Sequence, residues 1–283
     1  MKTKLAVQSI ALMLAAGFAA TGAAQAQTVP PASYVKSSGK LTIASTIYAP
    51  FAYIDANGKR VGPSIELAEA AAKLLGAELV VQEAPFTSLI PSLKAGRIKV
   101  AWLNATATAE RLQQVDFVAW IQEGTVVATT PDRKEAFSKR TALCGHKVAV
   151  QSGTSADFSA DLLNKECKAA GLPEFKKDIY PSQQDTVQAV ISKRAEAYLD
   201  DSTSAGYYSK VSNGKLVVAG EPFNVRPVGH IVAKGDKETA EMLRAVMQTL
   251  VDNGTYGQIL DKFGMTFASV KKIEVYTDAT QLK

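Results

Sequence analysis

The sequence contains little histidine, cysteine or tryptophan, with two of each among 283 residues. A zinc site needs several closely spaced ligands, and His146, His230 and two well-separated cysteines do not make such a set. A predominance of one charge is also absent, because the net charge of +5 comes from basic residues scattered among acidic ones. This balance argues against a nucleic-acid partner. We therefore expect no metal, no other cofactor and no bound nucleic acid.

Apolar runs long enough to span a bilayer are missing too. The first 27 residues, MKTKLAVQSIALMLAAGFAATGAAQAQ, combine a basic start at Lys2 and Lys4, a short apolar stretch and a small-residue cleavage site. They predict a signal peptide over residues 1–26. A core helix is the alternative, but no charged face follows Lys4. No cysteine follows the cleavage site to carry a lipid anchor, so we expect a soluble periplasmic protein of net charge +3 after loss of the two lysines.

The two cysteines, Cys144 and Cys167, both lie in the predicted mature chain. In an oxidising compartment they are expected to form a disulfide. The bond would close a loop of about two dozen residues and stabilise the fold by roughly 3 kcal/mol. A metal site built on Cys144 and the nearby His146 is the alternative, and it has too few ligands.

Strand and helix patterns alternate along the first half of the mature chain. KLTIAS alternates apolar and polar residues as a strand does, and a hairpin turn is predicted at Asn57 and Gly58. PSIELAEAAAKLLGA predicts a helix that Ser64 can cap and Gly76 can end. FTSLIPSLKAGRIKVAWLN predicts a second helix and then an apolar strand over residues 98–103. This alternation predicts an α/β fold.

The second half resembles the first. KVAVQSGTSADF matches KLTIASTIYAPF, and VQAVISKRAEAYLDD matches IPSLKAGRIKVAWLN, which indicates two similar lobes. The alternative is that strand–helix units all look alike and no true repeat exists. Ligands of open α/β sheets bind beyond the carboxyl ends of strands, so a site is expected at Ser45, Asn104, Gln151 and Asp201. Two core-facing helices, separated by residues 253 and 254, are predicted near the C-terminus.

Two segments predict an anion site. ATATAER places Arg111, whose guanidinium can pair with a carboxylate through two hydrogen bonds, just after the hydroxyl of Thr106. QSGTSADF offers a tight turn and a helix start with Thr154. The opposite charge comes from YLDDS, where strand alternation should direct only one of Asp200 and Asp201 into a cleft. Because an arginine and an aspartate together suit a zwitterion, an α-amino acid is the simplest ligand.

These and other segments resemble periplasmic solute-binding proteins of the polar amino-acid class. The resemblance rests on YAPFAYIDANGKRVG, SLIPSLKAGRIKV, TATAERLQQVDF, VQSGTSADF, PVGHIVAKGD and LVDNGTYGQILDKFGM, in that order. It implies the two-lobed, type II periplasmic-binding-protein fold, with the ligand in the cleft and closure by a hinge motion. The implied domains are lobe 1 over residues 27–126 and 223–283 and lobe 2 over residues 127–222, with crossings near 125–131 and 220–227.

The resemblance also implies roles for single residues. Arg111 matches the arginine that binds the ligand α-carboxylate, Thr106 and Thr154 match positions that assist it, and Asp201 matches the acceptor of the α-amino group. Tyr48 and Phe86 match aromatics that sandwich the ligand side chain, although core packing is the alternative for both.

Departures from the family pattern bear on the ligand. Ser45 stands where members that prefer cationic amino acids carry an acid, so a polar or neutral side chain is predicted. Asn104 can bond such a side chain.

The function that this resemblance implies is ligand delivery to an ABC permease of the inner membrane, by a protein that we expect to be a monomer. One alternative is a periplasmic dehydratase of the same fold acting on arogenate or prephenate. The missing catalytic histidine, metal pattern and nucleophile motif argue against an enzyme. Another alternative is a ligand-sensing module for a membrane receptor, since transport and sensing can both use the closed liganded form.

Overall fold

The computed structural model describes residues 29–282, and the predicted signal peptide lies outside them. The helices are α1 (Ser33–Ser38), α2 (Pro63–Leu74), α3 (Phe86–Lys94), α4 (Ala109–Leu112), α5 (Ser155–Ala169), α6 (Gln183–Ile191), α7 (Ser202–Val211), α8 (Lys237–Asp252) and α9 (Thr255–Lys262). The strands are β1 (Lys40–Ser45), β2 (Tyr53–Ile54), β3 (Arg60–Val61), β4 (Glu78–Glu83), β5 (Val100–Thr106), β6 (Val115–Thr129), β7 (Lys147–Gln151), β8 (Lys176–Tyr180), β9 (Ala197–Asp201), β10 (Val217–Ala233) and β11 (Ser269–Tyr276). Short 3₁₀ turns cover Pro131–Arg133, Arg140–Leu143, Thr266–Ala268 and Ala279–Gln281.

The main sheet has the strand order β4-β1-β5-β10-β6-β9-β7-β8, with β11 also paired to β6. Its two outer parts are parallel: β1 lies between β4 and β5, and β7 lies between β8 and β9. The two central strands, β6 and β10, run antiparallel to each other and to their outer neighbours. Each outer part therefore presents the carboxyl ends of its parallel strands, where ligands of α/β sheets bind.

The long strands β6 and β10 connect the two parts of the sheet. The first part of β6 pairs with β11, from Phe117 to Ile121, and its last part pairs with β9, from Thr125 to Thr129. Glu123 lies between these two pairings, opposite Arg226 of β10. A chain that changes lobes on only two adjacent strands can bend there while each lobe keeps its own packing.

Each lobe has its own buried core on both faces of its sheet. In lobe 1, one apolar cluster includes Trp102 and Leu243 and the other includes Leu89 and Phe117. In lobe 2, separate clusters contain Leu163 and Tyr198. Burial of apolar side chains is the main stabilising contribution to such layers. Within residues 29–282, no helix has both the length and the apolar composition needed to cross a membrane.

Most local predictions agree with these elements. The hairpin of β2 and β3 surrounds the predicted turn, and α8 and α9 are the predicted C-terminal helices. A disulfide joins Cys144 to Cys167, as predicted. It ties the segment before β7 to the buried side of α5 in lobe 2.

The prediction that Ser64 caps α2 is wrong. Gly62 is the N-cap and Pro63 the first helical residue, while the Ser64 hydroxyl is buried without a hydrogen-bond partner. Gly62 has φ +125°, and a Cβ there would lie 2.3 Å from the carbonyl oxygen of Phe51. Only glycine suits this turn, because other residues rarely adopt that conformation and would collide with the neighbouring loop.

Candidate functional site

A cavity between the lobes gathers seven of the eight predicted ligand-binding residues. They are Tyr48, Phe86, Asn104, Thr106, Arg111, Thr154 and Asp201. The space left among them is about 10 Å³, so the lobes lie closed on one another. A ligand larger than a water molecule enters only when the lobes separate or the side chains rearrange.

Arg111 reaches across this cleft from α4, a single helical turn whose N-cap is Thr108, and the Thr108 hydroxyl accepts a hydrogen bond from the backbone N–H of Arg111. One terminal nitrogen donates to the carbonyl oxygen of Thr106 at 2.8 Å, and the other donates to the carbonyl oxygen of Gly153, in lobe 2, at 2.7 Å. The guanidinium carries five N–H donors, so further donors remain for a ligand. Burial lowers the pKa of Arg111 to about 10, which leaves it positively charged near neutral pH.

Thr154 begins the second predicted anion segment as the N-cap of α5. Its hydroxyl accepts a hydrogen bond from the backbone N–H of Asp157, and the preceding Gly153 has φ +71°. The helix N-terminus therefore faces the cavity with its Ser155 hydroxyl, which lies 3.1 Å from the Thr106 hydroxyl of lobe 1. Backbone N–H groups at a helix start favour an anion.

The acidic side of the cavity is formed at the end of β9. Asp201 accepts a hydrogen bond from the Ser155 hydroxyl at 3.3 Å, and its other carboxylate oxygen lies 3.2 Å from the Tyr48 hydroxyl. Tyr48 also donates to Asp200, which in turn accepts from the Gln183 amide at 3.1 Å. Of the two acids only Asp201 lines the cavity, although the Tyr48 hydroxyl lies against both, and Asp201 is also the N-cap of α7, where the chain leaves the strand.

The electrostatics of this acidic pair favour an added positive charge. Burial raises the pKa of Asp200 to about 7, and the charge of Asp201 acts in the same direction. Burial also raises the pKa of Asp201 to about 6, against the hydrogen bonds from Tyr48 and Ser155 and the charge of Arg111. Two carboxyl groups this close resist simultaneous ionisation until a cation joins them.

Further hydrogen bonds hold the lobes together on the same side. The Gln183 side chain of α6 accepts from the backbone N–H of Ala49 at 3.0 Å and donates to the carbonyl oxygen of Ala49 at 3.3 Å. Gln183 is 2% exposed, so this contact belongs to the closed interior of the cleft. The sequence analysis did not identify Gln183, because no local motif indicates its contacts with Ala49 and Asp200.

Tyr48 and Phe86, which were predicted to sandwich the ligand side chain, each contact a charged residue of the cavity. The Phe86 ring lies 5.3 Å from the guanidinium carbon of Arg111, an arrangement in which the ring face favours the cation. Ser45 is the one predicted ligand residue that does not line the cavity; Thr46 lines it instead. Ser45 is 1% exposed and its hydroxyl has no hydrogen-bond partner. Neighbouring positions at a strand end face opposite sides of the sheet, which explains why Thr46 lines the cavity while Ser45 points away from it.

Neither histidine reaches the cavity. His230 stacks on Trp102 at 3.9 Å between ring centres and its Nδ1 lies 3.0 Å from the carbonyl oxygen of Leu103. Burial lowers its pKa to about 3, so it is neutral. His146 Nδ1 lies 3.0 Å from a carboxylate oxygen of Glu196. Neither histidine is therefore placed to contact a ligand in the cavity. The polar groups that line it are hydroxyls, an amide, one guanidinium and one carboxylate.

The fold and site together define a two-lobed ligand-binding protein. Residues 41–266 match the model of the bacterial extracellular solute-binding proteins, family 3, and the chain belongs to this family.

Relatives of known description cover most of the chain. It is 27% identical over 219 residues to the arginine-binding protein ArgT of Corynebacterium glutamicum, covering 77% of this chain and 71% of that protein. It is 28% identical over 259 residues to a probable histidine-binding protein of Neisseria gonorrhoeae, covering 90% of this chain and 94% of that protein. The ancestral amino-acid-binding protein AncCDT-1, described as a precursor of cyclohexadienyl dehydratase, is similar in structure, with a TM-score of 0.73, 29% identity and coverage of 81% and 97%.

Proposed function

We propose that the protein binds an L-α-amino acid, or a close derivative, in the cleft between its lobes and delivers it to an ABC permease in the inner membrane. The observation that carries this proposal is the placement of Arg111 and Asp201 in one cavity, on different lobes. The ligand carboxylate would replace the Gly153 carbonyl as a partner of Arg111. The ammonium group would bind Asp201, and closure would bring the two halves of the site together.

The relatives support the same function. The two sequence relatives named above are described as an arginine-binding and a probable histidine-binding protein, and an L-cystine-binding protein of Escherichia coli is 25% identical over 231 residues. Membership of an extracellular solute-binding family supports export to the periplasm. We propose that residues 1–26 are the cleaved signal and that residues 27–126 and 223–283 form lobe 1 around lobe 2, residues 127–222. We further propose that the protein acts as a monomer without a metal, a cofactor or a nucleic-acid partner.

The choice of ligand depends on the groups that surround its side chain. Thr46, which lines the cavity in place of Ser45, brings no acid to the pocket between Tyr48 and Phe86, so we propose that this pocket takes a polar or neutral group. Asn104, which is 7% exposed and lines the cavity, supplies an amide for such a group.

The test is a ligand screen on protein freed of bound ligand by unfolding and refolding. We expect one group of L-amino acids to raise the melting temperature, because a ligand that binds only the folded state stabilises it, and calorimetry should show one site. D-enantiomers and amino acids with a blocked carboxylate are the matched ligand controls. No response to any amino acid or derivative would refute this function.

The dehydratase alternative has a specific structural basis. AncCDT-1 is described as the precursor of a dehydratase, and the cleft here holds carboxyl groups of raised pKa that could transfer a proton. We propose a binding protein rather than an enzyme because Asp200 is held by Tyr48 and Gln183 and no histidine lines the cavity. Turnover of arogenate or prephenate by the purified protein would reverse that choice. A receptor-coupled role uses the same binding step and is distinguished by which membrane protein the closed form engages.

A further inference from the structure

Asp201 occupies the N-cap position of α7, but its side chain does not cap the helix. An aspartate in this position usually accepts a hydrogen bond from the backbone N–H of the second or third helical residue. Here the carboxylate faces the cavity instead: the Ser155 hydroxyl donates to one oxygen at 3.3 Å, and the Tyr48 hydroxyl lies 3.2 Å from the other. Both hydroxyl residues line the cavity between the lobes. The acid is therefore directed towards the ligand site and away from its own helix.

The N–H group that Asp201 does not take belongs to Thr203, the second residue of α7, and Glu123 accepts its hydrogen bond. The Thr203 nitrogen lies 3.2 Å from a carboxyl oxygen of Glu123, which is 80 positions away in the sequence. Glu123 lies on β6 between the part that pairs with β11 and the part that pairs with β9. N–H groups in the first turn of a helix have no intrahelical partner, and a buried one without an acceptor is costly. Glu123 thus caps α7 from a strand that connects the lobes.

Packing alone does not explain a glutamate at this position. Glu123 is 3% exposed, and its second carboxyl oxygen is buried without a hydrogen-bond partner. The other acid of β6, Asp116, lies 3.0 Å from the ammonium group of Lys234. Glu123 takes part in no ion pair of residues 29–282. A buried carboxyl group destabilises a fold unless its hydrogen bonds offset the loss of hydration, so the bond to Thr203 is the contact that accounts for it.

A second acid so close to Asp201 does not add a competing negative charge when it is protonated. Burial, followed by the charge of Asp201, raises the pKa of Glu123 well above its usual range and so favours its uncharged form. An uncharged carboxyl group still accepts a hydrogen bond through its carbonyl oxygen. In this form Glu123 caps the helix and leaves Asp201 as the acceptor for a ligand ammonium group.

We propose that Glu123 is a positioning residue of the amino-acid site, because its bond to the N–H of Thr203 frees the Asp201 carboxylate for the ligand α-amino group. Without this acceptor, the N–H would draw the carboxylate back onto the first turn of α7, as in an ordinary aspartate cap. Glu123 does not line the cavity that Arg111 and Asp201 share, so it acts through Asp201. The proposal rests on the amino-acid-binding function proposed above and concerns the strength with which the α-amino group is bound.

The experiment removes the acceptor with Glu123→Leu and keeps it with Glu123→Gln, whose amide oxygen accepts the same N–H. Calorimetry gives dissociation constants for L-glutamine and L-arginine, which share the α-amino group and differ in their side chains. Glu123→Leu should weaken both ligands by about tenfold or more, because hydrogen bonds to charged groups contribute more than neutral ones. Glu123→Gln should keep most of the affinity. Gln122→Leu, at the exposed neighbouring position of β6, is the control and should bind like the unchanged protein.

A double-variant cycle separates positioning of Asp201 from a general structural effect. In Asp201→Ala the carboxylate that Glu123 positions is gone, so adding Glu123→Leu should cause little further loss of affinity. A general structural effect of Glu123→Leu would weaken binding by the same factor with and without Asp201. Equal factors, unchanged affinity in Glu123→Leu, or a loss confined to one of two ligands that both bind would overturn the proposal.

A measurement on the unchanged protein covers the case in which Glu123→Leu does not fold. Nuclear magnetic resonance detects the coupling through a hydrogen bond between an amide nitrogen and the carbon of the accepting group. The Thr203 nitrogen should couple to the Glu123 carboxyl carbon, and coupling to the Asp201 carboxyl carbon or to neither would contradict the proposal. If no amino acid binds, the amino-acid function fails and the positioning function with it. Binding that is insensitive to Glu123→Leu would refute only the function of Glu123.

Discussion

Tyr48 of lobe 1 donates a hydrogen bond to Asp200 of lobe 2, and the same phenolic oxygen lies 3.2 Å from a carboxylate oxygen of Asp201. One hydroxyl thus lies against two neighbouring acids that repel each other when both are ionised. Burial, followed by the charge of Asp200, raises the pKa of Tyr48 well above its usual range, so the hydroxyl keeps its proton. The contact joins the two lobes, and we expect a ligand ammonium group to replace the hydroxyl as a stronger partner of the acids in the closed form.

Removal of the Arg111 guanidinium should weaken ligand binding strongly. Arg111→Ala leaves the ligand carboxylate desolvated without a partner, at a cost of at least roughly 2 kcal/mol, or tens-fold in affinity. Arg111→Lys should recover only part of the loss, because an ammonium group does not make two parallel hydrogen bonds. Calorimetry measures both variants, with Arg244→Ala, at a partly buried position of α8 that does not line the cavity, as control. Affinity unchanged in Arg111→Ala would remove Arg111 from the site.

Loss of the Gln183 amide should open the cleft. Gln183→Leu deprives the N–H and carbonyl groups of Ala49 and a carboxylate oxygen of Asp200 of their partner in the closed form. The population should shift towards separated lobes, because unpaired buried polar groups destabilise the form that contains them. Small-angle scattering should show a larger radius of gyration without ligand and a return at saturation. Gln188→Leu, at an exposed position of the same helix, is the control. Identical scattering for Gln183→Leu and the unchanged protein would contradict this function of Gln183.

Stability without ligand should fall as the pH rises from about 4 towards 7. Asp200 and Asp201 have pKa values of about 7 and about 6 in the folded protein, above the ordinary 3.8. The folded state therefore binds more protons than the unfolded chain in this range, and the free energy of unfolding decreases as those protons leave. Melting temperatures measured from pH 4 to pH 8 should show a shallower decline in Asp200→Asn. If the melting temperature of Asp200→Asn declined with pH as steeply as that of the unchanged protein, Asp200 and Asp201 would not be the cause of the decline.

The disulfide should stabilise lobe 2 without contributing to ligand recognition. Cys144 and Cys167 are 23 positions apart, and release of that loop should lower the free energy of unfolding by roughly 3 kcal/mol on the loop-entropy model. Urea unfolding of the double variant Cys144→Ser and Cys167→Ser measures the loss, and reduction of the unchanged protein should reproduce it. Equal urea midpoints for all three samples would refute the prediction.

Local sequence patterns were informative wherever a single element decided the outcome. The Asn57 and Gly58 turn, the two C-terminal helices and the cap at Thr154 follow from glycine and hydroxyl residues at strand and helix ends. Arg111 and one of the two aspartates were predicted to share a cleft because charged side chains near the ends of strands in an α/β fold gather at the same edge, and the family resemblance indicated Asp201. The structure places Arg111 and Asp201 in one cavity. The Ser64 cap failed because Gly62, two residues earlier, could adopt a turn that excludes other residues.

The sequence by itself determined the alternation of strands and helices, the charges available for a zwitterion and the only possible partner for each cysteine. Tertiary structure alone decided that Gln183 bonds to Ala49, 134 positions away, and that Tyr48 contacts Asp200, 152 positions away. It also placed Thr46 rather than Ser45 at the cavity and buried Glu123 where the lobes meet. The physical reason is that these contacts form between lobes, when two separately packed cores close on each other, and no local periodicity records that approach.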